Sequence, residues 1–186
     1  IEKSEEMISM ANKKNIKNFS LHNNDISNFE LNKKFDVAVS LFHVMSYLTE
    51  NDSLLSCLNC VSSHLNKGGL FIFDFWHTPS VYFNKPETRV KRFNNSSIKV
   101  TRIAESKIDY LNNVVDVNFD INIRNIESEK SQNLVETHPM RHFSIPEIDL
   151  LAKLTGFEII LSDELISAKK PSNHTWGVCV VLKKVI

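Results

Sequence analysis

Glycine is scarce in this chain: only Gly68, Gly69, Gly156 and Gly177 occur among 186 residues. No two of them stand in a GxG spacing, so no glycine-rich turn is offered that would let the backbone close on a phosphate or carboxylate. Cysteine is nearly as rare, with Cys57, Cys60 and Cys179. An odd count argues against a disulfide framework and fits a reducing compartment. Cys57 and Cys60 form a CxxC, but they lie in an apolar-periodic segment with no second CxxC and no histidine pair at ligand spacing. They read as helix residues rather than as a redox or zinc site. Net charge is absent too, since 22 basic residues balance 22 acidic ones. That gives no long-range attraction to nucleic acid or anionic lipid. No apolar run is long enough to cross a bilayer, and a cytoplasmic location is expected.

What remains is ordinary globular material. The chain is 42% hydrophobic and 24% charged, enough for one domain with a real core. Ile1-Glu2 reads as the last step of a strand. Ser4 is an N-cap, Glu5 and Glu6 suit the positive end of a helix, and Met7, Ile8, Met10 and Ala11 supply its apolar positions. A short strand is expected at Phe19–His22, followed by a polar turn ending in Asp25. Phe35–Leu41 is apolar on both faces, which predicts a central strand of a parallel sheet with helices on either side. Next, "TENDSLLSCLNCVSSHL" is a helix with Leu54, Leu55, Leu58, Val61 and Leu65 on one face. "LFIFDF" is a second buried strand. Strand, helix and strand with short links form a βαβ unit.

The periodicity changes between Thr78 and Ser144. "VKRF", "SSIKVTRIAES", "VVDVNFDINIRNI" and "NLVETHPMRHF" alternate apolar and polar residues, as an antiparallel sheet with one buried face does. Val115, Val117, Phe119, Ile121 and Ile123 share one side. The division is therefore residues 1–77 with 144–186 as an α/β core, and 78–143 as an inserted antiparallel β layer. Ser144 and Glu147 have capping-box spacing, Pro146 lies in the first turn, and Gly156 ends that helix. Phe157–Leu161 and "TWGVCVVLKK" are the last strands.

Four stretches, "EKSEEM", "NND" before "ISNF", "KFDVAVSLFHVMSYL" and "LNKGGLFIFDFW", together with "HFSIPEIDLLAKLTGFEII", resemble the class I S-adenosylmethionine-dependent methyltransferases. The inserted sheet and "VETHPMRHFS" resemble the branch that methylates sugar nucleotides, typically at an amino-sugar nitrogen. The resemblance implies a Rossmann-like α/β sheet with the insertion as a substrate cap, and S-adenosylmethionine as cofactor. It also implies that the first strand, its glycine-rich turn and its helix would precede Ile1. The chain is then expected to be a fragment with little cofactor affinity of its own, with an exposed strand edge that invites pairing with a second copy.

By this resemblance Glu2 would accept hydrogen bonds from the adenosine ribose, and Asp25 and Ile26 would meet the adenine; Asn-Asn-Asp is also good turn chemistry. Ser40, Leu41 and Phe42 would wall the methionine end. Tyr47 matches a position near the acceptor where relatives often carry His. With an ordinary pKa of about 10, a tyrosine is a poor base at neutral pH. His43 is the nearby titratable alternative, and simple packing is the competing reading for both. His138 completes the candidate catalytic set. Trp76 could stack on a sugar, and His77, Glu136 and Arg141 could contact the acceptor. Glu136, His138 and His142 share a face by period two, with Arg141 pointing away. Those three could hold a metal, which ranks below substrate binding. The expected activity is methyl transfer to a small molecule, with a nucleotide-linked amino sugar first. The alternatives are another small metabolite as acceptor, or a non-catalytic α/β binding module.

Overall fold

A computed structural model describes all 186 residues. Strand β1 (Phe35–Ser40), helix α2 (Asn51–His64) and strand β2 (Leu65–His77) form the expected parallel βαβ unit, preceded by helix α1 (Glu5–Asn12). The short helix α3 (Thr78–Phe83) leads into a meander of β3 (Arg89–Asn94), β4 (Ile98–Asp109), β5 (Val114–Asn125) and β6 (Ser131–Phe143). Helix α4 (Ile145–Leu154) and strands β7 (Phe157–Glu164) and β8 (Gly177–Lys184) complete the chain.

The sheet order is β3-β4-β5-β6-β2-β8-β7, with β1 on β2. β8 is antiparallel to both of its neighbours. One face of β2 packs Phe71, Phe73 and Phe75 against α2 and α4, together with Leu54, Leu58, Val61, Ile148, Ala152 and Phe157. Each such aromatic removed from water contributes about 1.5–3 kcal/mol, so this layer fixes the fold. The helix ends follow the sequence signals. Ser4 accepts from the Met7 amide, and Ser144 accepts from the Glu147 amide. Gly156 follows α4 at φ 81°, a left-handed turn that favours glycine. Cys57 is core, and burial pushes its thiol up to about 12, which leaves it inert.

Three expectations are corrected. Phe19–His22 is not a strand; only a bridge between Glu2 and Asn23 forms there. β1 is not buried on both faces. It runs at the sheet edge with β2 as its partner, and Val37 and Val39 are about half exposed. Apolar content alone does not say which faces other elements cover. Helix α1 likewise buries no residue fully, and Met7 and Met10 stay exposed. The expected inserted antiparallel layer is present as the meander, and it is joined to the main sheet. It is hydrogen-bonded to the main sheet where Trp76 and His77 of β2 pair with His142 and Phe143 of β6. The β5–β6 register runs unbroken through Pro139. Pro139 needs no bulge, because that part of β6 has a partner on one side only.

Candidate active site

The meander's register decides which side chains meet. On β5, Val115, Val117 and Phe119 face inward, and their β6 partners are Met140, His138 and Glu136. On the other side Ala104 pairs with Phe119, Arg102 with Ile121, Arg89 with Ala104 and Lys91 with Arg102. Partnered residues share a face. A single surface therefore carries Arg89, Lys91 and Arg102 at one end and His138 and Glu136 at the other. Phe119 sits between them, 5.0 Å beneath the Arg102 guanidinium and edge-on to the His138 ring at 5.1 Å.

This surface faces the carboxyl ends of β1 and β2, where open α/β sheets place their ligands. A cleft of about 640 Å³ lies between them, lined by His43, Trp76 and Trp176 as well as by Arg89, Lys91, Arg102, Glu87 and Phe119. Trp76 and Trp176 meet edge to face at 5.8 Å. The volume suits a small ligand, and the three cations suit an anionic one.

Beyond the cleft lining, on the far side of Phe119, the hydroxyl of Tyr47 lies 2.9 Å from His138 Nδ1, and His138 Nε2 lies 3.2 Å from a Glu136 carboxylate oxygen. A carboxylate only accepts, so Nε2 carries the hydrogen and Nδ1 accepts from Tyr47. Burial, and then the charge of Glu136, raise the Tyr47 phenol above its ordinary value. Tyr47 is thus a donor here and not a base. Tyr47 and His138 are 91 positions apart in sequence, and the fold brings both candidates into contact.

His43 stands on the β1 side, in a tight left-handed turn with Phe42, at φ 62° and 65°. Its backbone N–H donates to Asp74 Oδ2 at 3.1 Å, and its ring Nδ1 lies 2.7 Å from the same oxygen. The ring is turned so that the oxygen sits off the N–H axis, and the contact is close without being a well-aligned hydrogen bond.

Other expected site residues sit elsewhere. His77 is buried, and burial lowers its pKa; it is not in the lining of the cleft that its neighbour Trp76 lines. Arg141 donates to the Thr49 carbonyl at 2.9 Å and to Glu147 at 2.7 Å, on the opposite face of the meander from Glu136 and His138. His142 is fully buried and bonded to Thr78. No group of three or more His, Cys, Asp or Glu side chains comes together as a metal site. Arg89, Lys91, Arg102 and Trp176 were not among the sequence candidates. One signal was available for Arg102. On β4 the inward stripe Ile98, Val100, Arg102, Ala104, Ser106, Ile108 is apolar or small except for that arginine, and a cation in an apolar stripe asks for a partner.

A second, apolar cavity of about 320 Å³ lies beside β1. It is lined by Ile26, Ala38, Ser40, Leu41, Val44 and Met45 among others, and it can take a flat aromatic ring. Asp25, next to Ile26, accepts from the Ser27 amide and hydroxyl and pairs with Lys3 at 2.8 Å. The hydrogen bond from Lys3 leads the causes that hold its carboxyl down at about 2. One Glu2 oxygen accepts from the Lys3 and Ser4 amides, and the other has no protein partner. Phe42, next to Leu41 of that lining, is 87% exposed.

This is the fold of the class I S-adenosylmethionine-dependent methyltransferases. No protein-family model matches the chain. It is similar in structure to an S-adenosylmethionine-dependent methyltransferase from Clostridium acetobutylicum, with TM-score 0.83 and 24% identity over 99% of this chain and 73% of that one. It is also similar to a sugar N-methyltransferase from a Streptoalloteichus species, with TM-score 0.81 and 17% identity over 99% of this chain and 69% of that one. In sequence it is 30% identical over 82 residues to a dTDP-3-amino-3,4,6-trideoxy-alpha-D-glucopyranose N,N-dimethyltransferase of Streptomyces venezuelae. That match spans 44% of this chain and about a third, 34%, of the relative.

Proposed function

We propose that this chain carries the acceptor site and part of the cofactor site of an S-adenosylmethionine-dependent methyltransferase, and that the acceptor is a nucleotide-linked amino sugar. The observation that carries this reading is the cleft at the ends of β1 and β2. Three cations on β3 and β4 form one wall, and the indoles of Trp76 and Trp176 lie with them. The cations match a diphosphate, and the indoles match the apolar face of a sugar. The Streptomyces relative is named for a dTDP-linked amino sugar, a ligand with both of these parts. An uncharged small metabolite would leave Glu87 as the one acidic group facing Arg89, Lys91 and Arg102 in the cleft, an excess of positive charge.

The residues beside β1 fit the cofactor's adenosine end. Ile26 and Leu41 line the apolar cavity that would take the adenine, with Ser40 beside them. Asp25 stands at the position next to Ile26, the free oxygen of Glu2 can accept from a ribose hydroxyl, and Phe42 would cover the methionine end. The bound cofactor supplies a methyl group on sulfonium, an electrophile that asks the protein for alignment more than for acid–base help. This chain's own contribution is orientation and proton management. Arg89, Lys91 and Arg102 anchor the nucleotide. Trp76 seats the sugar, and Tyr47, held by His138 and Glu136, orients a sugar hydroxyl or the amine. His43 is the proton acceptor. Arg141 acts as a brace between β6, α4 and the Thr49 carbonyl.

Calorimetry with S-adenosylhomocysteine measures how much of the cofactor site this chain holds, weak binding being expected, and a radiolabelled methyl-transfer assay across dTDP-linked amino sugars at high cofactor concentration tests the acceptor. Methylation of the amino sugar only when it is nucleotide-linked is expected. Equal turnover of the free amino sugar would remove the role given to the cations.

A further inference from the structure

Asp74 has an unusual set of partners. It lies at the carboxyl end of β2 with no exposed surface. No lysine or arginine pairs with it; the donor bonded to it is the backbone N–H of His43 at Oδ2, and that residue's ring Nδ1 lies 2.7 Å from the same oxygen. Oδ1 is buried with no partner. A buried carboxylate without donors costs several kcal/mol, so its single satisfied oxygen depends on one residue.

His43 is unusual in turn. Phe42 and His43 are consecutive non-glycine residues with left-handed backbones, a conformation costing roughly 1–2 kcal/mol per residue. Such strain persists where the surroundings over-determine it, and it clusters at functional sites. Here the Asp74 carboxylate pins the His43 amide from one side. The His43 carbonyl accepts from the Ser46 amide at 3.0 Å on the other.

We propose that Asp74 is a positioning residue: it holds the Phe42–His43 elbow and fixes the His43 imidazole as the Nδ1–H tautomer, so that Nε2 stands unoccupied as the proton acceptor of the cleft. The tautomer follows from the contact. Nδ1 is buried and lies 2.7 Å from a carboxylate oxygen. The separation is too short to admit a water between them. Even off axis, an unprotonated Nδ1 would hold its partial negative charge 2.7 Å from the carboxylate, so the hydrogen is placed on Nδ1, which leaves Nε2 as the ring's acceptor. Nε2 has no protein partner, and His43 lines the cleft. Its use rests on the function proposed above. An acceptor amine reaches the site largely as ammonium; Nε2 takes one of its protons, the amine nitrogen keeps the freed electron pair, and the imidazole becomes imidazolium beside Asp74.

The test needs neither cofactor nor substrate. The chain is labelled with 15N-histidine, and the His43 ring signals are assigned by their loss in His43→Ala. At mildly alkaline pH the wild-type ring is expected as the Nδ1–H tautomer. In Asp74→Leu, which removes the acceptor at similar volume, the ring is expected to shift toward the Nε2–H form that histidine prefers in water. No change between wild type and Asp74→Leu overturns the proposal. Should Asp74→Leu not fold, the wild-type spectrum decides alone, and a predominantly Nε2–H ring overturns it. In methyl-transfer assays Asp74→Leu is expected to lower kcat at least tenfold with KM within about twofold. Absence of methyl transfer by the wild type would strike the functional reading while the tautomer result stands by itself.

Discussion

Acid should weaken this protein through one buried histidine. His142 has no exposed surface; its Nδ1 lies 2.8 Å from the Thr78 hydroxyl, and its Nε2 has no partner. Protonation would place a second N–H where nothing accepts it, in a pocket closed by the Tyr82 ring at 5.1 Å. Burial first, and then the neighbouring Arg141 charge, lower its pKa from 6.5 to about 4. The unfolded chain binds this proton at the ordinary value, so the unfolded state holds more protons between the two pKa values. Stability is then full above pH 6.5 and falls as the pH drops toward 4. A gap of 6.5 − 4 = 2.5 units corresponds to about 3 kcal/mol. That is a large part of the roughly 5–15 kcal/mol typical of a domain.

The assay is urea unfolding from about pH 7 to about pH 4, comparing wild type with His142→Gln. The amide can still bond Thr78 but cannot titrate. The variant should be less stable at neutral pH, and the difference should shrink by about 3 kcal/mol on acidification. His77, also lowered by burial, adds a slope common to both proteins. Asp25, held at about 2, loses its contribution only below the range scanned. Parallel stability curves for the two proteins would refute the reasoning.

Three further outcomes are expected. Tyr47→Phe removes the donor to His138 and should lower turnover about tenfold while leaving S-adenosylhomocysteine affinity unchanged in calorimetry. Arg102→Ala should raise KM for a nucleotide-linked sugar about 10- to 100-fold, the worth of one charge-assisted bond, and leave KM for the free amino sugar unchanged in the same assay. Gly156→Ala should destabilise by about 1 kcal/mol or more in urea, because φ is 81° and the new Cβ would stand 2.4 Å from Ile186 Cγ1. Adding Ile186→Ala should recover the clash but not the backbone strain.

The parts of the fold that are legible in sequence are those written in local periodicity. The βαβ unit, the meander's alternation, and the Ser144, Glu147 and Gly156 signals around α4 all depend on residues within a few positions of one another. Each appears in the structure close to its expected bounds. What local pattern cannot carry is which elements cover a face. Val37 and Val39 are as apolar as Phe71 and Phe73, yet the first pair is exposed and the second buried. The difference lies in α2 and α4 packing on one side of the sheet. Phe19–His22 fails as a strand for a related reason: a strand is completed by its neighbours, and here a single bridge forms.

The site divides along the same line. Tyr47 and His43 were visible in the segment after β1 and His138 on an alternating strand, because a histidine or tyrosine there is conspicuous by itself. Their roles were not visible, because roles come from partners. Tyr47 becomes a donor only when His138, 91 positions away, turns Nδ1 toward it. His43 gains a defined tautomer only through Asp74, 31 positions away. Arg102 looked like one more polar residue of an alternating strand until the β4–β5 register placed it on the inward face over Phe119. Register is a property of strand pairs, and a shift of one residue would turn Arg102 to the opposite side. The cationic wall is therefore a test of the meander's pairing as much as of its chemistry. If Arg102 reads nucleotide charge as proposed, neutralising Arg124 should leave nucleotide KM unchanged, because Arg124 lies on the outward face of β5 in the same register.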